Sequence, residues 1–274
     1  MKDFKEVDKF IKAVEDTIKK PRKVKKGEKL FVGVDLGTAY IVIVVLDKNK
    51  KPVACEMEFA QVVRDGLVVD FIGATNIVRK LKKKIEDKLG VELEEAAIAV
   101  PPGTGERDIA THKYVVEGSG MEVTAVLDEP TAANAVLGVE NGVVVDVGGG
   151  TTGLSIFEDG KVIYTVDEAT GGTQLSLVVA GAYRIPFEEA EDRKKDKKNY
   201  NDIFPMVTPV VQKIARIISD NIKGFNVDTI YLVGGTCCLK DFEKIIQKET
   251  GITTVKPLNP FLVTPSGIAI NCCK

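Results

Sequence analysis

Two short runs of the sequence combine an aspartate, glycines and a threonine in the same order. Asp35-Leu36-Gly37-Thr38 follows the apolar run Leu30 to Val34, and Asp146-Val147-Gly148-Gly149-Gly150-Thr151 follows Gly142 to Val145. Glycines let a main chain turn tightly and approach a ligand closely, so that its N–H groups converge on phosphate oxygens. Thr38 and Thr151 add hydroxyl donors. A carboxylate beside such a turn would repel bare phosphate, so Asp35 and Asp146 call for Mg2+, whose preference for hard oxygen ligands they satisfy directly or through water. The repetition implies an internal duplication, with two equivalent turns facing one cleft. Neither run matches the Gly-x-x-x-x-Gly-Lys-Ser/Thr phosphate loop or the dinucleotide Gly-x-Gly-x-x-Gly element.

Other residues could join this site. Glu129 stands where the strand Val123 to Leu127 passes into a helix reaching Leu137, with Pro130 near the first helical position. It could align water or a hydrated metal, or act as a helix-start carboxylate. Gly171 and Gly172 precede the apolar helix Leu175 to Ala180, where they could pass close to sugar or phosphates. Gly234-Gly235-Thr236 ends the strand Thr229 to Val233, read as the last clear strand, and a helix is expected from about Lys240 to Lys248. The loop Pro101 to Gly105 fits either the cleft or a rigid surface corner.

The elements that must position these residues alternate between strand and helix, as in α/β proteins. Each aspartate turn opens a hairpin: Leu30 to Val34 returns through Ile41 to Leu46, and Gly142 to Val145 returns through Leu154 to Phe157 with a further turn at Glu158-Asp159-Gly160. Ile77, Leu81, Ile85 and Leu89 line one face of a lysine-rich helix. A charged helical stretch covers Phe187 to Tyr200, a longer helix is expected from about Val210 to Ile222 after Pro205, and a short C-terminal helix over Ile268 to Cys272 should pack against the Glu129 to Leu137 helix. At the start, Phe4, Val7, Phe10, Ile11 and Val14 mark an amphipathic helix of about 16 residues, followed by a basic linker broken at Pro21. That helix could pack on its own domain or dock on a partner. The division expected is 1–28 for helix and linker, 29–140 for one domain and 141–274 for a second.

Composition narrows the function classes. Of 274 residues, 44% are hydrophobic and 28% charged, with a formal net charge of -2. That balance fits a soluble globular protein and gives no electrostatic reason to expect nucleic-acid binding. No stretch approaches the roughly 18 to 20 apolar residues of a membrane span, and the N-terminal segment lacks the core of a secretory signal. Cys55, Cys237, Cys238, Cys272 and Cys273 follow no zinc spacing and suit a reduced, cytoplasmic setting as free thiols, with Cys272 and Cys273 on a tail open to modification. His112, the only histidine, lies in a polar helical stretch and reads as a surface residue.

Asp35 to Thr38, Leu127 to Ala133, Val145 to Thr152, Ala169 to Gly172 and Leu232 to Thr236, in this order, resemble the nucleotide-site elements shared by actin, heat-shock chaperones and sugar kinases. Lys29 to Thr38, Val62 to Val68 with Asp70, Val100 to Thr104, the region around Leu127 to Thr131, and Asp167 to Gly172 resemble the ethanolamine-utilisation branch of that superfamily, over roughly Leu30 to Ile270. The resemblance implies an actin-like ATPase fold with two ribonuclease-H-like domains around a nucleotide cleft, reduced outer subdomains, and ATP or ADP with Mg2+ as the ligand. It assigns Asp35 and Asp146 to hydrated metal, Glu129 to alignment of water or metal, Gly37, Thr38, Gly148, Gly149, Gly150 and Thr151 to the phosphates, and Gly234 and Gly235 to the adenosine. Thr236, Gly171 and Gly172 join the nucleotide contacts, and Asp35, Glu129, Asp146 and Thr151 form the catalytic set. The second element runs on into Thr152 and Gly153 where the chaperones place a carboxylate, which implies slow hydrolysis. The resemblance further implies a chaperone-like or assembly role toward ethanolamine-utilisation enzymes or the proteins of a bacterial microcompartment. The chain leaves no room for the chaperones' substrate-binding domain. A small-molecule kinase and a filament-forming protein are the competing readings.

Overall fold

In a computed structural model, residues 4–25 and 27–272 are described. They form two five-stranded sheets of the same design. The first contains β1 (Leu30–Leu36), β2 (Tyr40–Asp47), β3 (Pro52–Phe59), β6 (Glu95–Val100) and β7 (Glu122–Asp128) in the order β3-β2-β1-β6-β7. The second contains β8 (Gly142–Val147), β9 (Thr152–Glu158), β10 (Lys161–Glu168), β11 (Thr229–Val233) and β12 (Thr253–Val255) in the order β10-β9-β8-β11-β12. In each sheet a meander of three antiparallel strands continues into two parallel ones. A small hairpin, β4 (Val63–Arg64) with β5 (Leu67–Val68), hangs from the first.

The central strands are near-continuous apolar runs because helices cover both faces. Along β2, Ile41, Ile43 and Val45 face a core built with α2 (Phe71–Leu89) and α3 (Glu106–Glu117). The alternate residues Val42, Val44 and Leu46 face a second core that also holds Val144 of β8 and Tyr231 and Val233 of β11. Between the two sheets, that shared core contains α4 (Glu129–Leu137), α9 (Val263–Asn271) and α1 (Phe4–Lys19). The second sheet's other face packs on α5 (Gly172–Tyr183), α6 (Phe187–Lys195), α7 (Tyr200–Asn221) and α8 (Phe242–Thr250).

α4 and α9 approach closely enough that a Cβ on Gly267 would collide with the carbonyl of Ala132, so only glycine fits there. α1 is docked on this protein, across both sheets. Val7, Ile11 and Val14 are buried, the Phe4 ring stacks 6.2 Å from that of Tyr231, and Asp8 accepts a 2.8 Å bond from the N–H of Leu258.

Several expectations need correction. His112 is buried, because it shares the inward face of α3 with Val115 and Val116 at helical spacing; its Nδ1 lies 2.9 Å from the Asp108 carbonyl, and burial holds its pKa down. α7 begins at Tyr200 and runs through Pro205 and Pro209. A buried stripe of Ile203, Val207, Val211, Ile214 and Ile218 outweighs the backbone bonds those prolines remove. β12 follows β11, so Thr229 to Val233 is not the last strand, and α9 starts at Val263. Cys272 is buried, not on an open tail, and Cys273 lies outside the described residues.

Candidate functional site

Both aspartate turns close hairpins at the C-terminal ends of the corresponding central strands of the two sheets, β1 to β2 and β8 to β9. The turns meet tip to tip. A Cβ on Gly149 would lie 3.2 Å from that of Ala39, and one on Gly150 would lie 2.8 Å from Thr38 Oγ1. Within the second turn the N–H of Gly148 donates to the carbonyl of Thr151 at 2.9 Å.

Gly171 and Gly172 back this turn. The N–H groups of Gly172 and Thr173, at the start of α5, donate to the carbonyls of Gly148 and Gly149 at 2.9 and 2.8 Å. Thr236 Oγ1 donates to the Gly148 carbonyl at 2.7 Å, so the third glycine run also supports the second turn. Gly234 has φ 91 and lies against Val147 and the carboxylate of Asp146, where a side chain would collide. Gly235 lies beside the ring of Phe261, and Gly37 beside the carbonyl of Tyr40.

Carboxylates gather behind the turns. Asp146 is buried and accepts a hydrogen bond from the Thr264 hydroxyl of α9. Desolvation raises its pKa from 3.8 to about 6, against the opposing effect of that bond. Asp35 rises to about 7 through desolvation and then the charge of Asp146. Glu129 is pushed well above the carboxylate range by desolvation, and then by Asp146, Asp35, Asp167 and Asp128. The cap of α4 is Asp128, whose Oδ1 accepts from the N–H of Thr131 at 2.9 Å. Glu129 is thereby left free of the capping role and belongs electrostatically to the cluster.

Among the described residues, no three His, Cys, Asp or Glu side chains stand close enough to hold a bare metal ion. Paired carboxylates that repel one another and resist ionisation fit a hydrated Mg2+, which keeps most of its own waters. Asp35 and Asp146 are the pair that fit.

Four contributors lay outside the sequence reading. Asp167 of β10 is raised to about 7 by desolvation, against the opposing effect of the Thr151 hydroxyl beside it. Glu191, Lys194 and Ser176 form a buried network beside Gly172: Lys194 Nζ donates to Glu191 at 2.7 Å and to the Gly172 carbonyl at 3.1 Å, and the Ser176 hydroxyl donates to Glu191. The spacing of Glu191 and Lys194, one turn apart in a charged helix, was the only available signal. The Pro101 to Gly105 loop reaches the site, with Pro102 Cδ 3.2 Å from the position of a Cβ on Gly153.

The sequence model of the type IV pilus assembly protein PilM family matches residues 112–267. Ethanolamine utilization protein EutJ of Salmonella typhimurium is 44% identical over 241 residues, 88% of this chain and 85% of that protein. The crystal structure of EutJ from Carboxydothermus hydrogenoformans superposes with TM-score 0.92 at 46% identity, covering 98% of this chain and 99% of that one. MreB5 of Spiroplasma citri bound to AMPPNP superposes with TM-score 0.71 at 16% identity over 87% of this chain and 94% of that one. The architecture is therefore the actin-like ATPase fold, with the N-terminal helix added.

Proposed function

The chain belongs to the ethanolamine utilization protein EutJ family, its residues 112–267 falling within the type IV pilus assembly protein PilM family, and from that membership we propose that it binds ATP or ADP with Mg2+ and hydrolyses ATP slowly. The two halves, 29–140 and 141–274, act as the domains of a clamp. The observation that carries this reading is the tip-to-tip arrangement of two turns, each with an aspartate at the same place behind it.

The roles follow from position. Backbone N–H groups of Gly37 and of Gly148 to Gly150, with the hydroxyls of Thr38 and Thr151, hold the phosphates. Asp35 and Asp146 hold the waters of a hydrated Mg2+, which when bound neutralises charge developing on the phosphates. Glu129 aligns water. Gly171, Gly172 and Thr236 fix the second turn, and Gly234 and Gly235 flank the nucleoside. Because the turns touch at Gly150 and Thr38, the halves must part for phosphates to enter. Binding and hydrolysis then set the angle between halves, which is the signal an assembly factor for ethanolamine-utilisation enzymes or a microcompartment would transmit.

Calorimetric titration with ATP, ADP and AMPPNP, with and without Mg2+, tests the reading. Mg2+-dependent binding is expected, and no binding at millimolar nucleotide would refute it. Phosphate release with and without ethanolamine-pathway proteins tests the partner role.

A further inference from the structure

The hairpin β9–β10 contains a register shift with a consequence for chemistry. At its turn Lys161 pairs with Glu158 and Val162 with Phe157, but beyond Ile163 the pairing moves by one, so that Tyr164 faces Ile156 and Asp167 faces Gly153. A regular hairpin would place Val166 opposite Gly153 and turn Asp167 to the other face of the sheet. The bulge re-aims Asp167. Across the next strand pair Gly153 faces Asp146, so Asp146, Gly153 and Asp167 form one row over three strands, on one face. The middle member has no side chain, and Asp167 Oδ1 lies 3.6 Å from where its Cβ would stand. Oδ1 of Asp167 is buried without a hydrogen-bond partner.

We propose that Asp167 is a catalytic carboxylate, delivered by the β10 bulge into the gap above Gly153, where it orients the water that attacks the terminal phosphate. The inference rests on the nucleotide-binding reading above. The water oxygen forms a bond to the terminal phosphorus as the bond from phosphorus to the bridging oxygen breaks, and that oxygen leaves with ADP. One water proton passes to Asp167 and on to solvent; the other stays on the released phosphate.

The test compares wild type with Asp167→Asn and with the double variant Gly153→Asp/Asp167→Gly, which moves the carboxylate to the middle strand. Binding of a fluorescent ATP analogue with Mg2+ and single-turnover phosphate release are measured on the full chain. D167N should bind nucleotide within about three-fold of wild type and hydrolyse about 100-fold more slowly, as loss of a positioned acid-base group does. The double variant should recover at least roughly ten-fold of that loss. If D167N unfolds, Asp167→Glu gives the second reading: it keeps the charge, shifts it by one methylene, and should cut hydrolysis about ten-fold at unchanged affinity. Wild-type turnover in the substituted chains, loss of binding in parallel with turnover, or binding without any hydrolysis in wild type each overturn the proposal. Absence of nucleotide binding in wild type would instead refute the reading on which it rests.

Discussion

Replacing Asp146 with asparagine should make the nucleotide-free protein more stable at pH 8 while removing Mg2+-dependent nucleotide binding. Asp146 is buried, and its pKa rises from the ordinary 3.8 to about 6, so the folded protein prefers its neutral form. Stability from such a group is fully present below the unfolded pKa and is lost as pH rises through the folded one. The gap of about two units corresponds to roughly 3 kcal/mol of destabilisation at pH 8. Asparagine carries no charge and keeps an oxygen for the Thr264 hydroxyl. The bond it accepts is weaker, which leaves a net gain of about 1 to 2 kcal/mol. Thermal unfolding of apo wild type and D146N should therefore differ by roughly 2 to 8 °C at pH 8. The difference should narrow as pH falls through 6 and vanish toward 3, below the unfolded value of 3.8, where wild-type Asp146 is largely neutral in both states. A D146N melting temperature at or below that of wild type at pH 8 would refute the idea that this carboxylate is held against its desolvation.

Asp35, raised to about 7, must ionise alongside Asp146 to meet a divalent cation, so Mg2+-dependent nucleotide affinity should weaken between pH 8 and 6, measured by titration at fixed Mg2+. Gly267→Ala forces a methyl group into the Ala132 carbonyl and should destabilise the protein by about 3 kcal/mol, read as a fall in melting temperature of roughly 6 to 12 °C. Lys195 of α6 bridges the cleft: its Nζ donates to the Tyr40 hydroxyl at 3.0 Å, and it stands 4.8 Å from the Tyr40 and Phe59 ring centroids. Lys195→Ala should speed release of a fluorescent nucleotide about five-fold, corresponding to roughly 1 kcal/mol of lost contact between the halves.

The features legible in the sequence are those whose chemistry is local. A tight turn needs its glycines within a few residues, and a buried strand must be apolar over its whole length, so both hairpins and their aspartates stand out without knowledge of the fold. Periodicity in a helix as mixed as α3 does not reveal which face meets the sheet, so His112 looks exposed in the sequence although it is buried. The first turns of α7 are hidden in the sequence because proline propensity is a local quantity, whereas the stripe from Ile203 to Ile218 is stabilised by a core built from distant strands.

Asp167 illustrates a harder limit. Its position in the chain, just ahead of the Ala169 to Gly172 run, made it look like the start of a loop. Counting back from the Asp159-Gly160 turn would have paired Gly153 with Val166 and sent Asp167 to the opposite face. Only the extra residue at Ile163 brings it into line with Asp146, and nothing in the alternation Val162, Ile163, Tyr164 betrays a bulge. A side chain whose placement depends on one unpaired residue costs the hairpin a regular ladder while leaving a buried oxygen without a partner. A hairpin under pressure for stability alone would lose both features by deleting Ile163. That both are present beside the phosphate turns is best explained if the misregister serves the chemistry there.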